Sequence, residues 1–287
     1  MAPGYGNLFV SVHGGHSGQF CGHAKDSLEE IVQAYIDKQF AWVGISEHMP
    51  AASAAFLYPE ELSAGLSPAD SLKRFADYIF TCRHLQRKYA SKIPILVGFE
   101  TEAHTGALEF AVQLKERFQP DYLVGSVHHV EDIPFDLNPQ EYGRALVVAG
   151  GLEELYCRYF DRQYEMLQAL LPAVVGHFDL IRIYDPDYGK QLALSAVQQR
   201  IERNLSFIKT HDLILDFNAR ALSKGASEPY VSAPILAKAL SKGICVVPGD
   251  DSHGVETVGA GLAEAMKILK SMGADTRIRR PDAAKRG

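Results

Sequence analysis

Seven short apolar runs recur along the chain. They are LFVSVHGG (8–15), AWVGISEH (41–48), IPILVGFETE (93–102), YLVGSVHHV (122–130), AVVGHFDL (173–180), LILDFNAR (213–220) and ICVVPGDDSH (244–253). Each is rich in Val, Ile, Leu or Phe and ends in polar, Gly or Pro residues, as a strand buried on both faces does. Helical spacing fills the intervals, at 27–40, 71–90, 107–118, 151–171, 195–211, 233–243 and 261–273. The first of these helices has Asp26 or Ser27 as N-cap and Glu29 and Glu30 in its first turn. Strands alternating with helices imply parallel pairing and right-handed crossovers. Seven such units suggest a closed α/β barrel more than an open sheet. Two long non-periodic insertions, 50–70 and 131–150, follow the second and fourth strands, where barrel enzymes carry their active-site loops.

A chain of 287 residues is long for one ordinary domain and normal for one barrel. It shows no linker, low-complexity tract or repeat. The expectation is one domain over 1–287, with a core at about 8–273 and a tail at 274–287. The basic end of that tail, RIRRPDAAKRG, reads as frayed and solvated. Cys21, Cys82, Cys157 and Cys245 form no CxxC and do not read as a disulfide framework. The net charge of −6 argues against a nucleic-acid partner. The start, MAPGYGNLFV, lacks a basic segment followed by a long apolar one, and no window approaches the roughly 18 apolar residues of a membrane span. These features place the protein in the cytoplasm, with a small-molecule partner and no membrane.

The strand ends carry the chemistry. His13 and His16 end the first strand, with His23 in the loop beyond. His48 ends the second, Glu100 and Glu102 the third, and His128 the fourth. His177 and Asp179 end the fifth, and Asp250, Asp251 and His253 the seventh. In a barrel these ends face one mouth. A single histidine is ordinarily a satisfied core or surface group, and His84, His104 and His211 fit that description. His129 follows His128 directly, so only one of the two can face the site. Histidines at five strand ends, with carboxylates at two of them, go beyond that description and indicate a polynuclear metal site. Imidazole mixed with carboxylate suits Zn, Mn or Fe. Eight or nine ligands imply two or three ions bridged by a carboxylate, an arrangement that activates water for phosphoryl transfer. Cys21 is a candidate soft ligand, but because none of the other ligands is sulfur it reads better as a small apolar residue packed under its loop.

The array H-x-x-H…CGHA, SEHMP, VGFETE, GSVHHV, GHFDLIR and GDDSH, with FLYPEE after the second motif, resembles the PHP (polymerase and histidinol phosphatase) superfamily. The likeness is strongest to its stand-alone histidinol-phosphatase branch and runs from about residue 10 to 255. The resemblance implies a distorted (β/α)7 barrel with the metal site at the C-terminal ends of the strands. It implies three divalent transition-metal ions: one held by the first motif (His13, His16) with Glu100 and Asp251, one by Glu100, His128 and His177, and one by His23, His48 and His253. Glu102 would stand behind the ligands. The implied reaction is hydrolysis of L-histidinol phosphate to L-histidinol and phosphate, a step of histidine biosynthesis. Glu100 would be the bridge, and Asp251 or His253 would assist the leaving alkoxide. Arg182 is the expected phosphate clamp, because its fork matches phosphate oxygens. Arg220 and Lys224 are further candidates, and Phe56 and Tyr58 are candidates for the substrate pocket.

The first motif departs from the family's H-x-H, because Gly14 stands where a histidine belongs. Two readings are open. Either a bulge or kink at Gly14-Gly15 turns His13 and His16 to the same side, or the first ligand is lost. Other activities also remain open. One is phosphoester hydrolysis of a different small phosphomonoester or a nucleotide. Another is a catalytically degraded, metal-binding regulatory module, which Gly14 alone favours. The acidic balance disfavours an exonuclease domain.

Overall fold

The computed structural model describes residues 9–274 and 279–281. All seven runs form strands: β1 (Val10–Gly14), β2 (Trp42–Ile45), β3 (Ile95–Glu100), β4 (Tyr122–Gly125), β7 (Val174–Val175), β8 (Ile214–Asn218) and β9 (Cys245–Gly249). Between β4 and β7 lies a small antiparallel pair, β5 (His129–Val130) and β6 (Ile133–Pro134). The main sheet is parallel in the order β1-β2-β3-β4-β7-β8-β9, so each strand lies beside the next in sequence. β1 and β9 stand together without a ladder between them. They meet through Asp251 N–H to His13 O (2.8 Å) and His16 N–H to Ser252 O (2.7 Å). The result is a distorted, nearly closed (β/α)7 barrel.

The seven expected helices are present, at Leu28–Asp37, Pro68–Lys88, Ala107–Phe118, Leu152–Leu170, Ser195–Thr210, Ala233–Ser241 and Leu262–Ser271. The first is closed by a Ser27–Glu30 capping box. Region 131–150 differs from expectation. It contains the helix Pro139–Ala149, capped by the Asn138 side chain and ended by Gly150 at φ +90°. Region 50–70 holds a single 3-10 turn, Ala54–Phe56, and the short helix Pro59–Ser63 before Pro68 opens the next helix. The tail also differs where it is described. Arg279 pairs with Asp212 at 2.7 Å and Pro281 is buried, so residues 279–281 lie docked across the bottom of the barrel. The N-terminal residues 1–8, including Leu8 of the first run, and tail residues 275–278 and 282–287 lie outside the described residues.

Packing divides into two layers. Val10, Val12, Trp42, Tyr122, Val124, Val174, Ile214 and Val247 fill the inside of the barrel toward its floor. The Tyr122 ring lies so close to Gly44 and Gly98 that a Cβ at either position would overlap it. The larger core lies between the sheet and the surrounding helices. Both layers are apolar and closely packed, so the polar groups at the strand ends are held on a rigid frame.

Candidate metal centre

The opening stretch resolves into the first of its two geometries. Val10 and Val12 point into the barrel, so a regular strand would turn His13 outward. Pairing with β2 instead slips by one residue: Ser11 faces Val43, whereas Gly14 faces Ile45. That bulge turns His13 inward, and Gly15 at φ +56° turns His16 toward the same point. The space explains the glycines. A Cβ on Gly14 would lie 2.7 Å from the Tyr35 hydroxyl, and one on Gly15 would lie 2.8 Å from Ile45 Cδ1.

Glu100 stands at the centre, almost fully buried. Its Oε1 lies 2.8 Å from His177 Nε2 and 3.3 Å from His128 Nε2. Its Oε2 lies 3.4 Å from His13 Nε2, 3.7 Å from His16 Nε2 and 3.3 Å from His48 Nδ1. Asp251 Oδ1 lies 3.3 Å from His16 Nε2, on a residue with φ +44°, a strained conformation for a side-chain-bearing residue. Potential ligand atoms fall within 4.8 Å of one another in four sets: His13/His16/Asp251, His13/Glu100/His177, His48/Glu102/His128 and His16/Cys21/His48/His253. His13 Nε2, His16 Nε2, His48 Nδ1 and Asp251 Oδ1 are buried without a hydrogen-bond partner. Each such group costs about 1–3 kcal/mol when left unpaired. Divalent cations among them would satisfy these atoms together, so the donor set fits metal ions.

The electrostatics couple the carboxylates and imidazoles of that set, and a bound cation would displace the protons that His13 and His16 otherwise hold. Burial opposes charge on Glu100, but His13, His128 and His48 hold its carboxyl well below the usual range. Asp251 is lowered against burial in the same way by His13, His16 and Arg220. These carboxylates in turn raise His13, and Asp251 with Glu47 raises His16 to about 9, both against burial. His48 and His253 are driven the other way, by burial first and by His16 second. Both therefore present the neutral imidazole that binds cations.

Several groups behind the ligands escaped the sequence reading. Asp216 on β8 accepts from His13 Nδ1 at 3.0 Å, which leaves Nε2 facing the centre. Glu47 Oε2 lies 3.5 Å from His16 Nδ1, and its other oxygen accepts from Ser17. Asn218 reaches Asp216 and Asp251. The available signal was an acid or amide inside a continuously apolar run, where it must find a partner. Glu102 accepts from His128 Nδ1 at 2.9 Å, and His129 approaches it at 3.2 Å from the other side, so of the pair only His128 reaches Glu100. Asp250 turns away to Ser11, Tyr35 and the Gly259 amide.

Arg182 requires a correction. Its guanidinium lies 3.3 Å from Asp179, donates to the carbonyls of Glu228 and Pro229, and packs between the rings of Tyr188 and Tyr230. It is buried beside the cleft and is not among the residues that line it, a placement that suits a structural ion pair better than a phosphate clamp. Arg220 and Lys224 do line the cleft, a volume of about 310 Å³ that also contains Glu100, His128, His177, Asp251 and His253. Arg220 donates to the Asp251 carbonyl at 2.8 Å. Desolvation, then neighbouring Arg220, lowers the Lys224 ammonium. Tyr58 also faces the cleft and donates to Glu102. Phe56 instead stacks on His104 at 3.7 Å in a neighbouring pocket. His23 sits at the rim, 40% exposed, with Nδ1 on Glu60 at 2.9 Å and its ring 5.2 Å from that of His253.

Comparisons with known proteins agree with this geometry. The PHP domain model matches residues 13–220. A Schizosaccharomyces pombe protein named "Probable histidinol-phosphatase" is 37% identical over 92% of this chain and 87% of its own length. The Saccharomyces cerevisiae histidinol-phosphatase is 31% identical over 90% and 87%. The crystal structure of hisK from Listeria monocytogenes superposes with a TM-score of 0.75 at 25% identity, covering 90% of this chain and 98% of that one. The fold also recurs, at a TM-score of 0.60 and 16% identity over 93% and 94%, in a Lactococcus lactis histidinol phosphate phosphatase complexed with Zn, L-histidinol and phosphate. With its motifs in order on a seven-stranded barrel, the chain belongs to the PHP domain family, in its stand-alone histidinol-phosphatase branch.

Proposed function

We propose that this chain hydrolyses L-histidinol phosphate to L-histidinol and phosphate, using three divalent transition-metal ions at the mouth of the barrel. One observation carries the reading: the two oxygens of buried Glu100 face two different sets of ligands, His128 and His177 on one side and His13, His16 and His48 on the other. A carboxylate so placed suits a bridge. His13, His16, Glu100 and Asp251 would hold one ion, and Glu100, His128 and His177 a second. His48 and His253, with His23 as the sequence places it, would hold the third. Bound, the ions would activate water and offset the charge of a phosphate ester. The histidinol-phosphatase relatives at 37% and 31% identity support the substrate, as does the ligand pair of the L. lactis enzyme.

The chain's own residues divide the remaining work by charge. Arg220 and Lys224, after β8, bring two cations to the cleft for the phosphate. Asp136 and Glu60, from the insertions after β4 and β2, bring carboxylates to the same cleft and suit the ammonium of histidinol. The substrate, anionic at one end and cationic at the other, meets groups of both signs in that cleft. His13, His16 and Arg220 lower the Asp251 carboxyl against burial, and burial lowers His253, so both lean toward the forms that ligate a metal. The reading takes residues 1–287 as one catalytic domain working in the cytoplasm. No helix among the described residues is long and apolar enough to cross a membrane.

The test joins two measurements on one preparation: ions per chain after reconstitution with Zn, Mn or Fe, and phosphate release from a panel of phosphomonoesters and nucleotides. The expected result is close to three ions and the highest kcat/KM for histidinol phosphate. A single ion per chain, or equal rates across the panel, overturns the reading.

A further inference from the structure

Asp250 stands beside Asp251 in the chain, yet its carboxylate faces away from the metal centre and is almost fully buried. Its Oδ1 accepts from the Ser11 hydroxyl at 2.5 Å and from the Tyr35 hydroxyl at 2.9 Å. Its Oδ2 accepts from the Gly259 amide at 2.7 Å. These donors satisfy the buried charge, and two of them lead back to the irregular end of β1.

A carboxylate only accepts, so it sets the direction of every hydrogen bond that reaches it. Tyr35 gives its one proton to Asp250, which leaves its oxygen to accept from Ser252 Oγ at 2.8 Å. Ser252 Oγ in turn accepts from the Gly15 amide at 3.3 Å, and the Ser252 carbonyl accepts from the His16 amide at 2.7 Å. On the other side Ser11, its proton given to Asp250, accepts from the Asp250 amide at 3.1 Å. The register slip of β1 lies between Ser11 and Gly14, and the left-handed turn lies at Gly15. One carboxylate therefore holds the bulge at both ends, Ser11 directly and Gly15 through Tyr35 and Ser252. The next peptide of the chain closes the arrangement, because the Asp251 amide donates to the His13 carbonyl at 2.8 Å.

We infer that Asp250 is a positioning residue: through Ser11 and the Tyr35–Ser252 relay it sets the bulge that aims His13 and His16 at the ion they share with Asp251. The inference rests on the metal-dependent reading above. It also accounts for the departure from H-x-H. A Cβ at residue 14 would lie 2.7 Å from the Tyr35 hydroxyl, so the relay occupies the room that a histidine there would need, and His13 serves instead.

Asp250→Asn tests this, because it keeps the shape and puts a donor where the relay needs an acceptor. Ser252→Ala cuts the last link and leaves Asp250 with Ser11, Tyr35 and Gly259. Metal-free full-length protein is titrated with Zn against a chromogenic chelator, and the urea midpoint of the same preparation is read without metal. Each variant should bind one of the three ions about tenfold more weakly and the other two within about twofold of native. The double variant should show about the same tenfold loss, because both substitutions break one path, whereas independent effects would multiply to about a hundredfold. Tyr122→Ala at the barrel floor should lower the midpoint and leave all three affinities within about twofold. Circular dichroism checks that each metal-free variant is folded, and if Asp250→Asn is not, Ser252→Ala decides alone. Unchanged Zn affinity with a lowered midpoint overturns the inference. So does an equal weakening of all three ions, or a loss of about a hundredfold in the double variant. Each of these leaves the metal centre standing. No Zn bound above trace by the native protein overturns both readings.

Discussion

At the floor of the barrel, Val10, Val12, Trp42, Tyr122, Val174 and Ile214 close on one another. A few residues further along the same strands, at the mouth, stand His13, His48, Glu100, His128, His177 and Asp251, several with buried polar atoms that have no hydrogen-bond partner among the described residues. The two ends share backbone, sheet and surrounding helices. They differ in what completes them. The floor is complete once the strands pack, and its contribution to stability is the ordinary burial of apolar surface. The mouth keeps its unpaired nitrogens and oxygens and depends on something bound to satisfy them. Substitutions at the two ends should therefore act on different observables.

The sharpest separation is expected at Glu100. Glu100→Gln keeps the shape and removes the charge shared by both ligand sets. We expect a loss in kcat of about a thousandfold, about 4 kcal/mol of barrier, with fewer ions per chain. Retention of more than about a tenth of kcat with a full complement of ions would show that Glu100 is not the bridge.

The opposite behaviour is expected at Tyr122, whose ring covers Gly44 and Gly98 at the floor. Tyr122→Ala leaves a cavity and should cost about 3–4 kcal/mol of stability, read as a lower urea midpoint. Ions per chain and kcat of the folded fraction should stay within about twofold. A variant of native stability but much reduced kcat would erase the distinction between floor and mouth.

Two arginines test where the mouth ends. Both follow strands, yet Arg182 is enclosed by Asp179, two carbonyls and two rings, whereas Arg220 faces the cleft. Arg220→Ala should lower kcat/KM about 30- to 100-fold, about 2–3 kcal/mol, with stability little changed. Arg182→Ala leaves buried Asp179 without its cationic partner, holding only the Ser232 amide, and should act on stability by a similar amount. At a temperature where it is folded, its kcat/KM should change less than about threefold. Exchanged outcomes would return Arg182 to the phosphate.

That pair also shows what the sequence can convey. The seven strands, their helices and the convergence of ligands at the strand ends were legible, because apolar periodicity and residue type report burial directly. The helix Pro139–Ala149 was not, because Val147 and Val148 lie exposed beside buried Ala145 and Ala149, which blurs the amphipathic pattern. Arg182 and Arg220 look alike in sequence, since a side chain's partners come from distant segments: Pro229 for one and Asp251 for the other. Asp216 and Glu47 were hidden for the same reason, inside or beside apolar runs whose partners, His13 and His16, lie far away in the chain.

The smallest expected effect lies on the border itself, where Val12 belongs to the floor and His13 to the mouth. The bulge between Ser11 and Gly14, followed by Gly15 at φ +56°, makes that change of direction. Gly15→Ala imposes a left-handed backbone on an alanine, which costs about 1–2 kcal/mol, and brings a Cβ within 2.8 Å of Ile45 Cδ1. If the bulge serves only the fold, the variant should lose that stability in the metal-free state and nothing else. If it aims His13 and His16, relaxing the strain moves both imidazoles, and affinity for the ion they share should fall about tenfold as well, the range seen when the groups that orient ligands are disturbed. We expect both losses. They are measured as the urea midpoint of the metal-free protein and as a competitive Zn titration of the same preparation. A stability loss with an unchanged titration would assign the Gly-Gly pair to the floor alone and leave the direction of His13 to Asp216, whose carboxylate holds the ring at Nδ1.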